Sequence, residues 1–391
     1  MPNINLHKPW YNSPTIIKPG SHITVLGGGI SGVCTAHHLQ KNGYEVTLIE
    51  RNGTLMSGAS GNPAAILDPF IAASDTIEKE FYLNAFQYAL SFYQELNDDI
   101  FEQCGLAKIA QNNDEIMRFE KISKCYTEDV LYFDDDRLIF PASGYLRPKK
   151  IASILNDNIN VMLNTHVDRL SENTDNTWSL YDVNHQQITR CDGVILCNSF
   201  EVDNFEQAKN LTLDKIAGQI SFIPAQNNEK NILCSDGYLT PNIETEHGNI
   251  NICGATFEKN ISLEITDKSH QENMRKSPIP IDNKTILGGR RGIRAMSGDH
   301  LPLSGPVANY DLYMKEYSTL HHGPSHKKFA GAPYHKNLFL NVGLGARGFL
   351  TAPLISHILI AQLSGKGTPV NEKTRHALHP ARFIIRKLSK K

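Results

Sequence analysis

The chain has 391 residues, 40% of them hydrophobic and 20% charged, with a formal net charge of −2. That length holds one large core or two linked domains, and the overall charge balance gives no sign of a polyanion partner. The seven cysteines are scattered and form no CxxC pair, and no apolar run approaches the 18 or more residues of a membrane span. No zinc site or other metal and no membrane partner are therefore expected, and a reducing, cytoplasmic location is.

Residues 1–20 read as a polar arm or linker with Pro9, Pro14 and Pro19 and no signal-peptide pattern. A βαβ start follows: the apolar run His22–Leu26, the glycine pattern Gly27-Gly28-Gly29-Ile30-Ser31-Gly32, a helix-like run Val33–Lys41, and the strand-like Glu45–Ile49. In such a turn the first glycine permits a tight bend, the second lets the backbone approach a pyrophosphate, and Gly32 lets helix and strand pack closely. The helix N-terminus offers free N–H groups and a partial positive charge to the phosphates. The acid about 20 residues on that a ribose hydroxyl requires is Glu50, with Arg51 beside it. The chain then runs through a small, flexible loop in which Gly58, Ala59, Ser60 and Asn62 can lie along a ligand; the bland alternative is a solvated connector.

Residues 75–105 have helical spacing, with Phe81, Ala85, Tyr88, Ala89 and Phe92 forming an aromatic stripe that reads as core. Arg137–Pro148 reads as a strand leading to a helix near Lys149. Strand-like runs follow at 159–163, 167–170, 178–183 and 194–197, then a β-rich stretch over 219–257, and a glycine- and arginine-rich segment over 288–304. A second glycine unit, Gly343-Leu344-Gly345-Ala346-Arg347-Gly348, follows the apolar run Leu338–Val342 and opens a helix-like run 354–363. Two strand–glycine–helix units this far apart suggest one long cofactor spanned by two helix N-termini, which favours FAD over NAD. The second positive helix end would lie near the flavin, where it would stabilise negative charge on the reduced ring. From Lys366 to the end there are eight Lys and Arg against one acid, Glu372, a local +7 that leaves −9 for the rest. A basic tail on an acidic body suits a polyanion contact, or simply a solubilising end.

These pieces resemble the FAD-dependent amine oxidoreductases of the D-amino-acid oxidase and glycine oxidase class. The matching stretches are GGGISG with Glu50, GASGN at 58–62, GYLTP at 237–241, GATF at 254–257, GIRAMSGDHLPLSG at 292–305 and GLGARGFLTAP at 343–353. Within that class GASGNPAAILDPFI, RRGIRAMSGDHLPLSG, GARGFLTAPL and the ending LHPARFIIRKLSKK are similar to the oxidoreductase half of the bifunctional enzymes of tRNA 5-methylaminomethyl-2-thiouridine biosynthesis. His7-Lys8-Pro9-Trp10-Tyr11 resembles the linker before that half. The methyltransferase half does not occur in the sequence, so either a separate tRNA methyltransferase acts on the product or the pathway stops at the aminomethyl stage. Cys197-Asn198-Ser199 departs from the Ala-Thr-Gly often found near the adenosine.

The resemblance implies an α/β protein: a Rossmann-like FAD-binding domain of the D-amino-acid oxidase type, made of residues 21–75, 147–215 and 335–365. An inserted β-rich α+β substrate domain would comprise 76–146 and 216–334, with 366–391 as a basic tail. It implies noncovalent FAD held by Gly27, Gly29, Ile30, Ser31, Gly32, Glu50, Arg51, Gly58, Ala59, Ser60, Asn62, Gly343, Gly345, Arg347 and Gly348, with the backbone at Val167 beneath the adenine. Its substrate would be the anticodon loop of a tRNA whose wobble uridine carries a carboxymethylaminomethyl group. Hydride would leave the carbon between amine and carboxylate, and hydrolysis of the imine would release glyoxylate and an aminomethyl uridine. Arg294 and Tyr238 match the carboxylate-binding pair of glycine oxidase-like enzymes, and an Arg fork with a Tyr hydroxyl suits a carboxylate. His300 is not needed as a base. Two other functions share the flavin motifs: an oxidase of free glycine, sarcosine or a D-amino acid, and a flavin-containing RNA-binding protein without turnover.

Overall fold

The computed structural model describes residues 8–96, 99–155, 159–225, 229–245, 248–259, 261–281, 285–322 and 329–390; His7 of the opening motif and Lys391 of the tail lie outside these. The first sheet has the strand order Leu303–Ala308, Tyr334–Val342, Gly193–Leu196, His22–Leu26, Glu45–Ile49, Asn160–Met162. All neighbours run parallel except Leu303–Ala308, which pairs antiparallel with Tyr334–Val342. His22–Leu26 is buried along almost its whole length, as expected of a parallel strand covered on both faces. The chain leaves this strand to one side for Glu45–Ile49, while Gly193–Leu196 pairs on the other. That reversal creates a crevice at the carboxyl ends of the strands, the ordinary ligand position in such sheets.

Ile30–Lys41 and Gly348–Leu363 pack over this sheet, and a third helix packs on them. Ile30–Lys41 lies against Gly348–Leu363, and Ile77–Gln94 against Gly348–Leu363. Thr76 caps Ile77–Gln94 by accepting from Lys79 N–H at 3.2 Å, and the stripe Phe81, Ala85, Phe86, Ala89 and Phe92 joins the main core. Gly345–Leu363 is long and apolar enough to cross a membrane, contrary to the expectation that no run approaches that length, but 78% of it is buried inside the fold. It is the central core helix, each fully buried Leu or Ile contributing about 1.5–3 kcal/mol.

The second large sheet has nine strands, in the order Gly288–Met296, Asp214–Pro224, Gly248–Gly254, Tyr238–Leu239, Ile232–Cys234, Leu106–Ile109, Arg137–Phe140, Tyr132–Asp134, with Ile243–Thr245 paired to Gly248–Gly254. It draws on the two segments expected to form an inserted β-rich domain. Two elements of those segments sit elsewhere: the helix Ile77–Gln94 belongs to the first core, and Leu303–Ala308 is the edge strand of the first sheet.

Neither terminus hangs free where it is described. Trp10 packs edge-on to Tyr317 and Phe329, and Ile17 N–H donates to Leu363 O at 2.8 Å. In the basic tail, Glu372–Leu378 and Arg382–Ser389 form helices, and Ile385 and Leu388 are buried against Tyr313 and Tyr317. Arg382 is 1% exposed and ion-paired, so it is unavailable to a polyanion.

Candidate active site

A cleft of about 900 Å³ runs from the carboxyl ends of the first sheet across to the second. At one end the turn after His22–Leu26 is built as its glycines require. Gly27 has φ +104°, and a side chain at Gly32 would run into the Gly27 carbonyl, so helix and turn touch only because neither residue has a Cβ. Gly29 is the N-cap of Ile30–Lys41 and has no side chain to cap it. Ser60 Oγ takes the Ile30 N–H at 3.1 Å, while the N–H groups of Ser31 and Gly32 make no hydrogen bond among the described residues. Gly348–Leu363 likewise starts without a side-chain cap, and Gly348 lies against Ile30. The two helix N-termini therefore meet at one place on the cleft.

A buried polar cluster fixes that meeting. Ser31 Oγ donates to Asn341 O at 2.6 Å, Asn341 Nδ2 donates to Thr35 Oγ1 and Ser356 Oγ at 3.2 Å each, and those two hydroxyls are 3.1 Å apart. Glu50 is 7% exposed; its Oε2 accepts from Gly28 N–H at 2.7 Å and its Oε1 from Asn52 N–H at 2.9 Å. Beyond it lies Val167, whose N–H and C=O make no hydrogen bond among the described residues.

Most expected cofactor residues line this cleft: Gly27, Gly29, Ile30, Ser31, Glu50, Arg51, Gly58, Ala59, Ser60, Asn62, Val167, Gly343, Gly345 and Gly348. Gly32 does not, because its part is close packing. Arg347 does not either: its Nη2 pairs with Asp68 Oδ2 at 3.0 Å, its Nε donates to Asp68 O at 3.2 Å, and its guanidinium lies over Phe70 and Tyr82. Lys108 Nζ reaches the same carboxylate at 2.7 Å. Burial alone would raise the Asp68 carboxyl; the two cations outweigh it and hold it below the usual range. Arg51 is ion-paired with Glu201. His300 is exposed in a turn off the cleft, where its carbonyl accepts from the Tyr82 hydroxyl at 2.6 Å.

The other end of the cleft is the face of the nine-stranded sheet. Lys108, Cys234, Tyr238, Gly254, Ile220 and Arg290 are register partners in one row, so their side-chain positions share a face. Along Gly288–Met296, alternation puts Arg290, Gly292 and Arg294 on that same face. The Arg294 guanidinium lies on Gly218, where any Cβ would collide with it. Its Nη1 donates to Thr256 O at 3.4 Å, and no carboxylate pairs with it among the described residues. Burial drives the Arg294 pKa down and the Tyr238 pKa up; Arg294 nevertheless stays charged and Tyr238 stays a protonated donor. A guanidinium left without a counter-ion in a cleft, next to a phenol donor, is a site for an anion.

The sequence reading missed Arg290, which donates to Ser57 O at 2.6 Å, to Gly58 O, and to Asn62 Oδ1 at 3.1 Å, and so shapes the loop along the cleft. The period-two pattern of Arg290, Gly292 and Arg294 carried that information. Gly218 had no signal, since its importance comes from a strand paired with it in space.

The residues fit FAD: two helix N-termini that would face its pyrophosphate and flavin, with the Ser31 and Gly32 N–H groups unbonded among the described residues, a buried acid that would meet a ribose, and the backbone at Val167 for the adenine. Such a group would lie between Glu50 and the Tyr238–Arg294 end. The comparisons agree. The structure resembles a crystal structure of glycine oxidase from Geobacillus kaustophilus (TM-score 0.69, 16% identity, 93% of this chain and 99% of that one). It also resembles iminodiacetate oxidase (IdaA) from Chelativorans sp. BNC1 (TM-score 0.69, 18% identity, 90% and 98%). The sequence is 31% identical to the tRNA 5-methylaminomethyl-2-thiouridine biosynthesis bifunctional protein MnmC of Marinomonas sp. (strain MWYL1), over 94% of this chain and 60% of that protein. It is 28% identical to the protein of the same name from Chromobacterium violaceum (strain ATCC 12472), over 99% and 63%. The chain thus spans about three-fifths of the length of these relatives. Residues 22–362 match the DAO family, and the chain belongs to these FAD dependent oxidoreductases.

Proposed function

We propose that this chain oxidises an N-substituted glycine carried on a tRNA wobble uridine, removing a carboxymethyl group as glyoxylate and leaving 5-aminomethyl(-2-thio)uridine. The observation that carries this reading is the Arg294 guanidinium, unpaired by any described carboxylate and standing with the Tyr238 hydroxyl at the end of the cleft remote from Glu50. Arg294 would hold the substrate carboxylate by charge and direction, and Tyr238 would add a neutral donor. Gly218 would leave room for the Arg294 fork to lie flat. Fixing the carboxylate fixes the adjacent carbon, which is the positioning such chemistry requires.

Bound FAD would supply the acceptor for the hydride leaving that carbon. Nitrogen would donate its lone pair as the C–H bond breaks, giving a C=N bond; water would add to that carbon, and C–N cleavage would give glyoxylate and the amine. The tRNA substrate is supported by the relatives named for tRNA 5-methylaminomethyl-2-thiouridine biosynthesis and by their 31% and 28% identity. A tRNA methyltransferase activity, on a separate protein or on a further stretch of this one, would complete the product. A cytoplasmic location is supported by seven cysteines that are all free.

The test is anaerobic bleaching of the flavin band in the FAD-loaded protein. tRNA bearing 5-carboxymethylaminomethyl-2-thiouridine should bleach it and free glycine, sarcosine or D-alanine should not. Bleaching by the free amino acids alone would assign the protein to the small-substrate oxidases. No bleaching by either would leave a flavin protein without this turnover.

A further inference from the structure

Where the cleft opens, the protein exposes two apolar side chains: Phe257 is 58% exposed and Leu263 63%, and Ile261 (49%) and Ile265 (45%) are exposed in the same stretch of chain. Single surface leucines are ordinary, but large exposed apolar side chains at the mouth of a cleft mark a contact surface. Phe257 and Leu263 also line the cleft itself.

Phe257 is firmly mounted. Thr256 N–H donates to Gln219 O at 3.1 Å, and Glu258 and Ala217 exchange backbone bonds at 2.9 and 2.8 Å. Thr256 Oγ1 accepts from Gln219 N–H at 2.9 Å, and both Glu258 carboxylate oxygens accept from Arg291 at 2.9 Å. The side chains on either side of Phe257 are therefore tied to the fold, and Phe257 between them is exposed and lines the cleft mouth. It stands one residue beyond Thr256, whose carbonyl accepts from Arg294.

We infer that Phe257, flanked by Leu263, is the stacking platform for the pyrimidine ring that bears the amine arm, and so selects a nucleobase-linked substrate over a free amino acid. This rests on the function proposed above. With the carboxylate on Arg294, the short arm carries the uracil outward along the wall that ends in Phe257. A flipped base is flat, uncharged and apolar on its faces, and an aromatic side chain covers one face without needing a hydrogen bond. A free glycine or sarcosine ends before the ring and leaves it in water.

The experiment measures anaerobic flavin bleaching and binding with tRNA bearing 5-carboxymethylaminomethyl-2-thiouridine, for wild type, Phe257→Ala, Phe257→Trp and Leu263→Ser. Phe257→Ala should raise the Kd for this tRNA roughly fivefold to over a hundredfold while flavin content and the bleaching rate at saturation stay the same. Phe257→Trp should restore binding and show fluorescence quenching at the new indole. Leu263→Ser, at an exposed position, should show a smaller loss in the same direction. An unchanged Kd in Phe257→Ala, a loss that Trp does not repair, or a loss of flavin would overturn the inference while wild-type bleaching left the function standing. A wild type that tRNA does not bleach would overturn the function, and this inference with it.

Discussion

Arg382 and Asp299 form a two-point ion pair, Nη2 to Oδ1 at 2.6 Å and Nε to Oδ2 at 2.9 Å, that ties the last helix to the turn before Leu303–Ala308. Arg386 reaches the same carboxylate, and Arg382 also donates to the Pro302 and Leu301 carbonyls at 3.1 and 2.7 Å. Burial would raise the Asp299 carboxyl, but the two guanidiniums hold it well below the usual range. Arg382→Ala should therefore destabilise the fold by about 3–5 kcal/mol, with Arg386 keeping the loss toward the lower end. Urea unfolding would show it as a lower midpoint with unchanged slope; an unchanged midpoint would make the pair energetically idle. Deleting the tail from Ala381 would remove this helix and uncover Tyr313 and Tyr317, so binding by tail cations is tested instead at exposed Lys387 and Lys390.

Local chemistry was legible in the sequence, and distant pairing was not. Gly27, Gly29, Gly32 and Glu50 announce themselves because one turn and one strand contain the whole device. Arg347 shows the opposite case: its glycine-rich surroundings suggest the flavin, while the ion pair that holds it, with Asp68, lies 279 positions away and has no local signal. Arg382 read as one cation among eight in a tail, and nothing nearby in sequence signals Asp299. The same holds for the edge strand Leu303–Ala308, whose place along the chain suggests the inserted domain although its partner Tyr334–Val342 belongs to the first sheet.

Acid should loosen the protein near its C-terminus. His379 Nδ1 accepts from Ala381 N–H at 3.1 Å, which assigns the ring proton to Nε2, facing Tyr334 Oη at 3.0 Å. Burial pushes His379 down to about 3, and His376 to about 4. Both are neutral in the fold, so the unfolded chain takes up protons first as pH falls below about 6.5. Stability is thus full above that pH and falls between it and the folded values, by about 1.4 kcal/mol per pH unit for each histidine. Thermal midpoints should drop from pH 7.5 to 5.5, and His379→Gln should flatten the slope. A midpoint independent of pH over that range would contradict the assignment.

Arg290 should control flavin retention rather than substrate. Its guanidinium bonds to Ser57 O, Gly58 O and Asn62 Oδ1 hold the loop over the cleft, and Arg290→Ala removes all three. Charged hydrogen bonds of this kind contribute about 1.5–3 kcal/mol, so FAD affinity should fall roughly tenfold to over a hundredfold. Acid precipitation should release free flavin from wild type, as noncovalent binding requires. Equal FAD titration curves for wild type and Arg290→Ala would show that the loop holds its shape without this clamp.

The decisive pair of substitutions is Arg294→Ala and Gly218→Ala. Arg294→Ala deletes the cation; FAD should stay bound, and turnover with modified tRNA should fall roughly tenfold to over a hundredfold, the value of a charged hydrogen bond. Gly218→Ala leaves Arg294 in the sequence but puts a methyl group where its guanidinium lies. Gly218 is not in the left-handed backbone region, so alanine meets no backbone strain there, and the methyl group acts through the displaced fork. Both variants should therefore stay folded and yellow, and both should raise KM for the carboxylate-bearing substrate. Their effects should not add, because Gly218→Ala has nothing left to displace once Arg294 is gone. If the double variant loses the sum of the two single losses, Gly218 acts on something other than Arg294. If Arg294→Ala alone bleaches at the wild-type rate in a single turnover, the carboxylate is held elsewhere.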